Sequence, residues 1–183
     1  MKDTAIGSYE AACLLGVHFT QPASMARDGL LTTRLVRSQT DQTSPVREVA
    51  VYSRRSCDEN WEEYERRQAQ GEVRRPRSHA DERPAMQRKL AKMPTHIDFH
   101  DAIGSVEASE ILGVTIPWAV RMARSKEVEG RLLLSGRSGE QASRRWIFSR
   151  RSCEAAAAVA RRALASGTKT GRPRSRMRRT VDK

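Results

Sequence analysis

At 183 residues the chain can hold one ordinary domain or two small ones, and with 38% hydrophobic, 5% aromatic and 31% charged residues it supports modest cores rather than one large core. A formal charge of +12 directs it toward polyanions, either nucleic acid or an anionic membrane. No apolar run approaches the roughly 18 residues of a membrane span, no signal-peptide core follows Met1-Lys2-Asp3, and the cysteines Cys13, Cys57 and Cys153 lie singly, so that neither a disulfide frame nor a zinc site is indicated. The expectation is a cytoplasmic protein whose thiols pack in its cores.

In chain order, Ser8 is placed to cap a short helix over Tyr9 to Leu15, which Gly16 stops. Val17-His18-Phe19 makes a tight turn, and Thr20 to Arg27 form a second helix with Pro22 in its first turn and Asp28-Gly29 closing it. Leu30 to Arg37 and Val46 to Tyr52 flank a polar tip containing Gln39, Asp41 and Pro45, the pattern of a hairpin. Ser53 caps a last helix whose apolar stripe is Cys57, Trp61 and Tyr64. A connector from 69 to 96 carries 7 basic and 3 acidic groups, a net +4, and includes Arg74-Arg75-Pro76-Arg77. Within it Pro84 to Lys92 can form a short helix with Met86, Leu90 and Met93 on one side.

The chain then repeats itself. Ile6 to Arg27 matches Ile103 to Arg124 at 11 of 22 positions with an offset of 97, and Ser53-Arg54-Arg55-Ser56-Cys57 returns as Ser149-Arg150-Arg151-Ser152-Cys153 with an offset of 96. Two ordered matches at compatible distances indicate duplication. In the second copy Ser105 and Thr115 cap, Gly113 turns, Pro117 lies in the first turn, and the helix runs through Arg124. Arg131 to Ser135 and Arg144 to Phe148 flank Gly136-Arg137-Ser138-Gly139, and Cys153, Ala156, Ala157 and Ala160 form the last stripe. The segments are therefore 1–68, the connector 69–96, 97–165 and a disordered basic tail 166–183. The two copies carry net charges of only −1 and +3, whereas the tail carries +6.

The helix ending Leu112-Gly113-Val114-Thr115, followed by Trp118 to Arg121 and Arg124-Ser125, resembles the winged helix-turn-helix of MerR-type regulators and phage excisionases, as does Leu15-Gly16-Val17 leading to Arg27-Asp28-Gly29-Leu30. The first copy departs from that pattern at His18, where a capping Ser or Thr is usual, and at Ser24, where the second has Arg121. The resemblance implies a mostly α fold with small β-wings, two such modules and a flexible linker. It also implies double-stranded DNA as the partner, with Thr20, Gln21, Ser24 and Arg27, and Thr115, Trp118, Arg121 and Arg124, on the helices that enter the major groove. Arg121 is the leading specificity residue, while Arg27 and Arg124 can instead clamp phosphate; Trp118 either touches a thymine methyl or packs inward. Arg34, Arg37, Arg137, Arg144 and Arg145 are wing contacts to backbone or minor groove. Gly171-Arg172-Pro173-Arg174 is similar to an AT-hook core, so Arg172 and Arg174 either enter a narrow A·T minor groove or attract phosphates non-specifically.

Blander patterns surround these. His96 and His100 lack a third ligand at a recognisable spacing, and Asp58, Glu59, Glu62 and Glu63 read as a solvated helix face with Glu62–Arg66 and Glu63–Arg67 pairs. Trp61 and Trp146 read as packing residues. No nucleophile with its base, phosphate loop or nuclease site is present, so neither an enzyme, a cofactor, a metal nor a small-molecule ligand is expected. The leading function is a sequence-specific transcriptional regulator, a repressor, located at the nucleoid and acting as a two-headed monomer or a homodimer. A flexible linker would tether its heads on one duplex, on direct, asymmetric or inverted sites. The alternatives are an architectural factor, either an excisionase-like directionality factor or a centromere binder of plasmid partition, and an RNA-binding protein.

Overall fold

The computed structural model describes residues 3–39, 44–72, 77–135 and 143–166, apart from the side chains of residues 135, 143 and 144. The first half of the molecule contains β1 (Ala5–Ile6), α1 (Ser8–Leu15), α2 (Gln21–Arg27), β2 (Thr33–Ser38), β3 (Arg47–Ser53) and α3 (Arg54–Ala69). After α4 (Glu82–Ala91) the same order returns as β4 (Ala102–Gly104), α5 (Ser105–Leu112), α6 (Ile116–Arg124), β5 (Gly130–Ser135), β6 (Ser143–Ser149) and α7 (Arg150–Ala165). Among the described residues this is an α+β molecule of seven helices and two three-stranded antiparallel sheets, ordered β1-β3-β2 and β4-β6-β5.

Local chemistry explains most boundaries. Ser53 and Ser149 cap α3 and α7, their hydroxyls accepting from the Ser56 and Ser152 amides at 2.9 and 3.1 Å. Gly16 and Gly113 end α1 and α5 in the left-handed region, with φ of 62° and 63°. Thr20 and Thr115 stand at the N-caps of α2 and α6, although neither side chain makes the capping bond. At α1 and α5 the expected caps are displaced by one residue. Gly7 and Gly104 take the N-cap positions, and Glu10 and Glu107 reach back to accept their amides at 2.6 and 2.7 Å. The acidic surface of α3 also pairs differently from expectation. Glu63 meets Arg66, and Arg67 turns past the helix end to Glu72 at 3.0 Å.

In its described residues the connector is not the flexible linker that the resemblance implies. Tyr64 and Trp61 form a platform on α3 over which the Arg77 guanidinium lies, 4.3 and 5.7 Å from their ring centroids, while it donates to the Leu15 carbonyl at 2.7 Å and Asn60 Oδ1 at 3.0 Å. Arg83 lies under Trp61 at 4.8 Å and pairs with Asp58 at 2.9 Å. With these cations absorbed, Met86 and Leu90 of α4 close the first core beside Ile6, Leu14, Leu15, Tyr52 and Cys57. A matching core in the second half holds Ile103, Leu112, Met122, Phe148 and Cys153.

A third core joins the halves. Successive strand residues face opposite ways, so Tyr52 points to the helices of its own half while Val51 points to the other half. Ala5, Val36 and Val51 meet Ala102, Leu133 and Ile147, their counterparts in the repeat, and Ile97 and Phe99 close the cluster. The chain segments beside it pair as well, Ala5 donating to the Ile97 carbonyl at 2.9 Å and Phe99 to the Asp3 carbonyl at 2.8 Å. Glu10 of α1 forms a two-pronged ion pair with Arg131 of β5 at 2.9 and 3.0 Å, the two side chains being 2% and 5% exposed. Arg131 also donates to the Ala5 carbonyl at 2.6 Å. Two tethered heads are thus replaced by two docked halves.

Candidate nucleic-acid interface

The side chains singled out on α6 sort by helical position. Ile116, Ala119, Met122 and Ala123 are buried against the second core, which turns Pro117, Arg121 and Arg124 to solvent. Trp118 is half-buried and packs on that core with its ring under the Arg121 guanidinium, 5.1 Å from centroid to cation. Arg124 lies 5.9 Å from the ring of Trp146 on β6. Among the described residues neither guanidinium forms an ion pair, so both charges are held by aromatic rings rather than neutralised. Thr115 is exposed at the start of the helix. Beside it an open cleft of about 380 Å³ runs from α6 to the strand edge, lined by Pro117, Arg124, Arg145, Trp146 and, from the other half, Gln39.

The equivalent helix α2 presents less. Pro22 is buried, Met25 and Ala26 pack on the first core, and Arg27 and Gln21 are exposed with Ser24 half-exposed. Gln21 Oε1 accepts the His18 amide at 3.1 Å and Thr20 Oγ1 lies 2.9 Å from His18 Nδ1, so these two side chains hold the turn that precedes the helix. Aligning the halves places Gln21 against Trp118, Ser24 against Arg121, Val49 against Arg145 and Ala50 against Trp146. Of Arg121, Arg124 and Arg145, Arg124 alone has a basic counterpart on this surface, Arg27.

The arginines expected on the wings divide. Arg34 is drawn inward, donating to the Phe99 and His100 carbonyls at 3.2 and 2.7 Å, where it ties β2 to the segment that leads into β4. Arg37 spans the halves to Glu110 at 2.7 Å in a pair that stays half-exposed. Arg145 is half-exposed at the cleft. Arg137, Arg172, Arg174 and the side chain of Arg144 lie outside the described residues, as does the hairpin tip at Asp41.

Other chemistry is sparse. Burial pushes the Cys13 thiol up to about 12 and the Cys153 thiol to about 11, and raises Cys57 further; all three thiols are buried and stay protonated at neutral pH. Among the described residues no group of three or more His, Cys, Asp or Glu could hold a metal ion, and no helix is long and apolar enough to cross a membrane. The residues that a reading of the sequence missed are structural cations. Arg77, Arg83 and Arg131 all look like surface charge in the sequence, and only the aromatic pair Trp61 and Tyr64 on the same helix face hints that some of them stack. No protein-family model matches the chain, and no curated protein or solved structure is similar enough to it to stand as a relative.

Proposed function

We propose that the chain is a sequence-specific binder of double-stranded DNA, acting as a transcriptional regulator of the repressor type, with α6 as its principal recognition helix. In this reading each half is a winged helix-turn-helix of the kind the Leu-Gly-Val motifs resemble, α1 with α2 and α5 with α6 being the paired helices and β2–β3 and β5–β6 the wings. The observation that carries it is the outer face of α6, where Arg121 and Arg124 stand exposed and stacked on tryptophans. A helix of this length fits the major groove, and an arginine there can grip guanine O6 and N7 together. Stacking restricts the side chain before binding, which lowers the entropy lost on contact. The net +6 of residues 166–183 favours a second reading, an architectural factor that coats or bends DNA.

The test is recovery of bound fragments from sheared genomic DNA by the full chain at about 150 mM salt, a level that suppresses purely electrostatic binding. Isolated sites at promoters sharing one motif are the expected result. Arrays of adjacent sites away from promoters would favour the architectural reading, and no shared motif would refute sequence-specific recognition.

A further inference from the structure

The contact between the halves is reciprocal. A Cβ on Gly7 would stand 2.3 Å from the carbonyl oxygen of Leu134, and a Cβ on Gly104 would stand 1.9 Å from that of Arg37. Gly104 is the repeat counterpart of Gly7, and Leu134 is the counterpart of Arg37. The start of α1 therefore rests on β5 just as the start of α5 rests on β2, each at a distance that only glycine permits. The third core draws on the same repeat positions of both halves, Ala5 and Ala102, Val36 and Leu133, and Val51 and Ile147. When residue i of one copy meets j of the other, and j of the first meets i of the second, the interface is isologous and its operator is a twofold axis. Such interfaces normally join two chains. Here one chain folds back to supply both partners, and the connector that links them is fixed to the first half by Arg77, Arg83 and Leu90.

Resting on the DNA-binding proposal above, we infer that one chain reads an imperfect inverted repeat of fixed spacing, with a strong half-site under α6 and a weak one under α2. A twofold operator sets the two helices at the same height along the axis and turned by half a revolution. A single duplex that satisfies both must then present its half-sites in opposite directions. The buried Glu10–Arg131 pair and the apolar third core resist sliding or hinging of one half on the other, so the spacing has one value rather than a range. The half-sites are unequal because the position of Arg121 is Ser24 in the first half, that of Trp118 is Gln21 and that of Arg145 is Val49.

The experiment is selection by the full chain from a pool of random duplexes at about 150 mM salt, which suppresses purely electrostatic binding, with the stoichiometry of the selected complexes measured by native mass spectrometry. Winning sequences are then rebuilt with the spacer lengthened by about 5 base pairs, half a helical turn. The expected result is two inverted half-motifs of unequal information at a single spacing and one chain per duplex. The longer spacer is expected to weaken binding roughly tenfold or more, to the level of the strong half-site alone. Direct repeats, scattered spacings, a solitary half-site or two chains per duplex would overturn the inference while leaving DNA recognition intact. Failure to enrich any duplex, with equal retention of structured RNA, would instead overturn the DNA-binding proposal and this inference with it.

Discussion

The two halves of the molecule share element order, strand pairing and a reciprocal interface, yet they place their arginines differently. Several arginines of the first half and its connector turn inward, as Arg131 alone does among the described residues that the second half presents to the seam. Arg34 binds two carbonyls, Arg77 and Arg83 stack on Trp61 and Tyr64, and the surface of α2 keeps only Arg27. In the second half the positions of Trp61 and Tyr64 are Ala157 and Ala160, no segment like α4 covers the described part of α5, and the aromatics sit instead at Trp118 and Trp146 under outward-facing arginines. On the DNA-binding proposal, the duplication is divided into a supporting half and a contacting half. The same stacking of guanidinium on ring closes a core in one and arms a surface in the other.

The sharpest test of that division lies at Glu10 and Glu107, which occupy equivalent positions and make the same cap to a glycine amide. Only Glu10 also neutralises a buried arginine. Glu10→Ala leaves Arg131 without its partner in the interior, and its expected cost is ~3–5 kcal/mol. Glu107→Ala loses one cap bond, at about 1 kcal/mol. Denaturant unfolding of both variants measures the difference. Equal losses would mean that the Glu10–Arg131 pair is not what fixes the halves together, and the single spacing of the half-sites would lose its main support.

A second comparison uses a tetrapeptide that occurs twice. Arg75-Pro76-Arg77-Ser78 follows α3, and Arg172-Pro173-Arg174-Ser175 follows α7. Burial pulls the Arg77 guanidinium below its ordinary range, and its hydrogen bonds and ring stacking offset that cost. Arg77→Ala is expected to destabilise the fold by about 2–3 kcal/mol through loss of charge-assisted bonds and stacking. Arg174→Ala is expected to leave unfolding unchanged, because alanines stand where the platform would be, and to weaken binding to all DNA sequences alike while flattening the salt dependence. A loss of stability at Arg174 equal to that at Arg77 would show that the tail is a second clamp rather than a DNA arm.

These contrasts explain what could be read in advance. Capping serines, the left-handed glycines and the β2–β3 and β5–β6 pairs are set by chemistry within a few residues of themselves, and the repeat made each of them visible twice. Strands β1 and β4 were not legible, being two and three residues long with no alternation to detect. Docking of the halves left a trace that a local reading passes over. Val49 to Tyr52 and Leu132 to Leu134 are continuously apolar, whereas a strand with one wet face alternates. The inward arginines left almost none, since a guanidinium that stacks and one that meets solvent are the same letter, and the net +4 of the connector concealed that Arg77 and Arg83 are packed. At the candidate interface the exposed character of Arg121 and Arg124 was readable from helical spacing, because the buried residues of α6 recur on one face. The inward turn of Arg34 was not readable, because its carbonyl partners lie 65 and 66 residues away.

The last comparison sets α6 against α2 on DNA and has the smallest expected effect. Arg121→Ala should reduce discrimination at one base pair by about 1–3 kcal/mol and leave non-specific affinity nearly intact, as expected for a bidentate contact to guanine. Ser24→Ala, at the equivalent place on α2, should change binding by less than about 0.5 kcal/mol, because a single hydroxyl bond that water can replace contributes little net. Titrating both variants against the selected site and its single-base variants separates three outcomes. A loss confined to one base pair for Arg121 assigns it to base reading. A uniform loss over all sequences reassigns it to phosphate and moves the specificity of the second half to Trp118 or Thr115. A loss at Ser24 as large as at Arg121 would mean that the two half-sites carry equal weight, and the division into supporting and contacting halves would then hold for the fold but not for recognition.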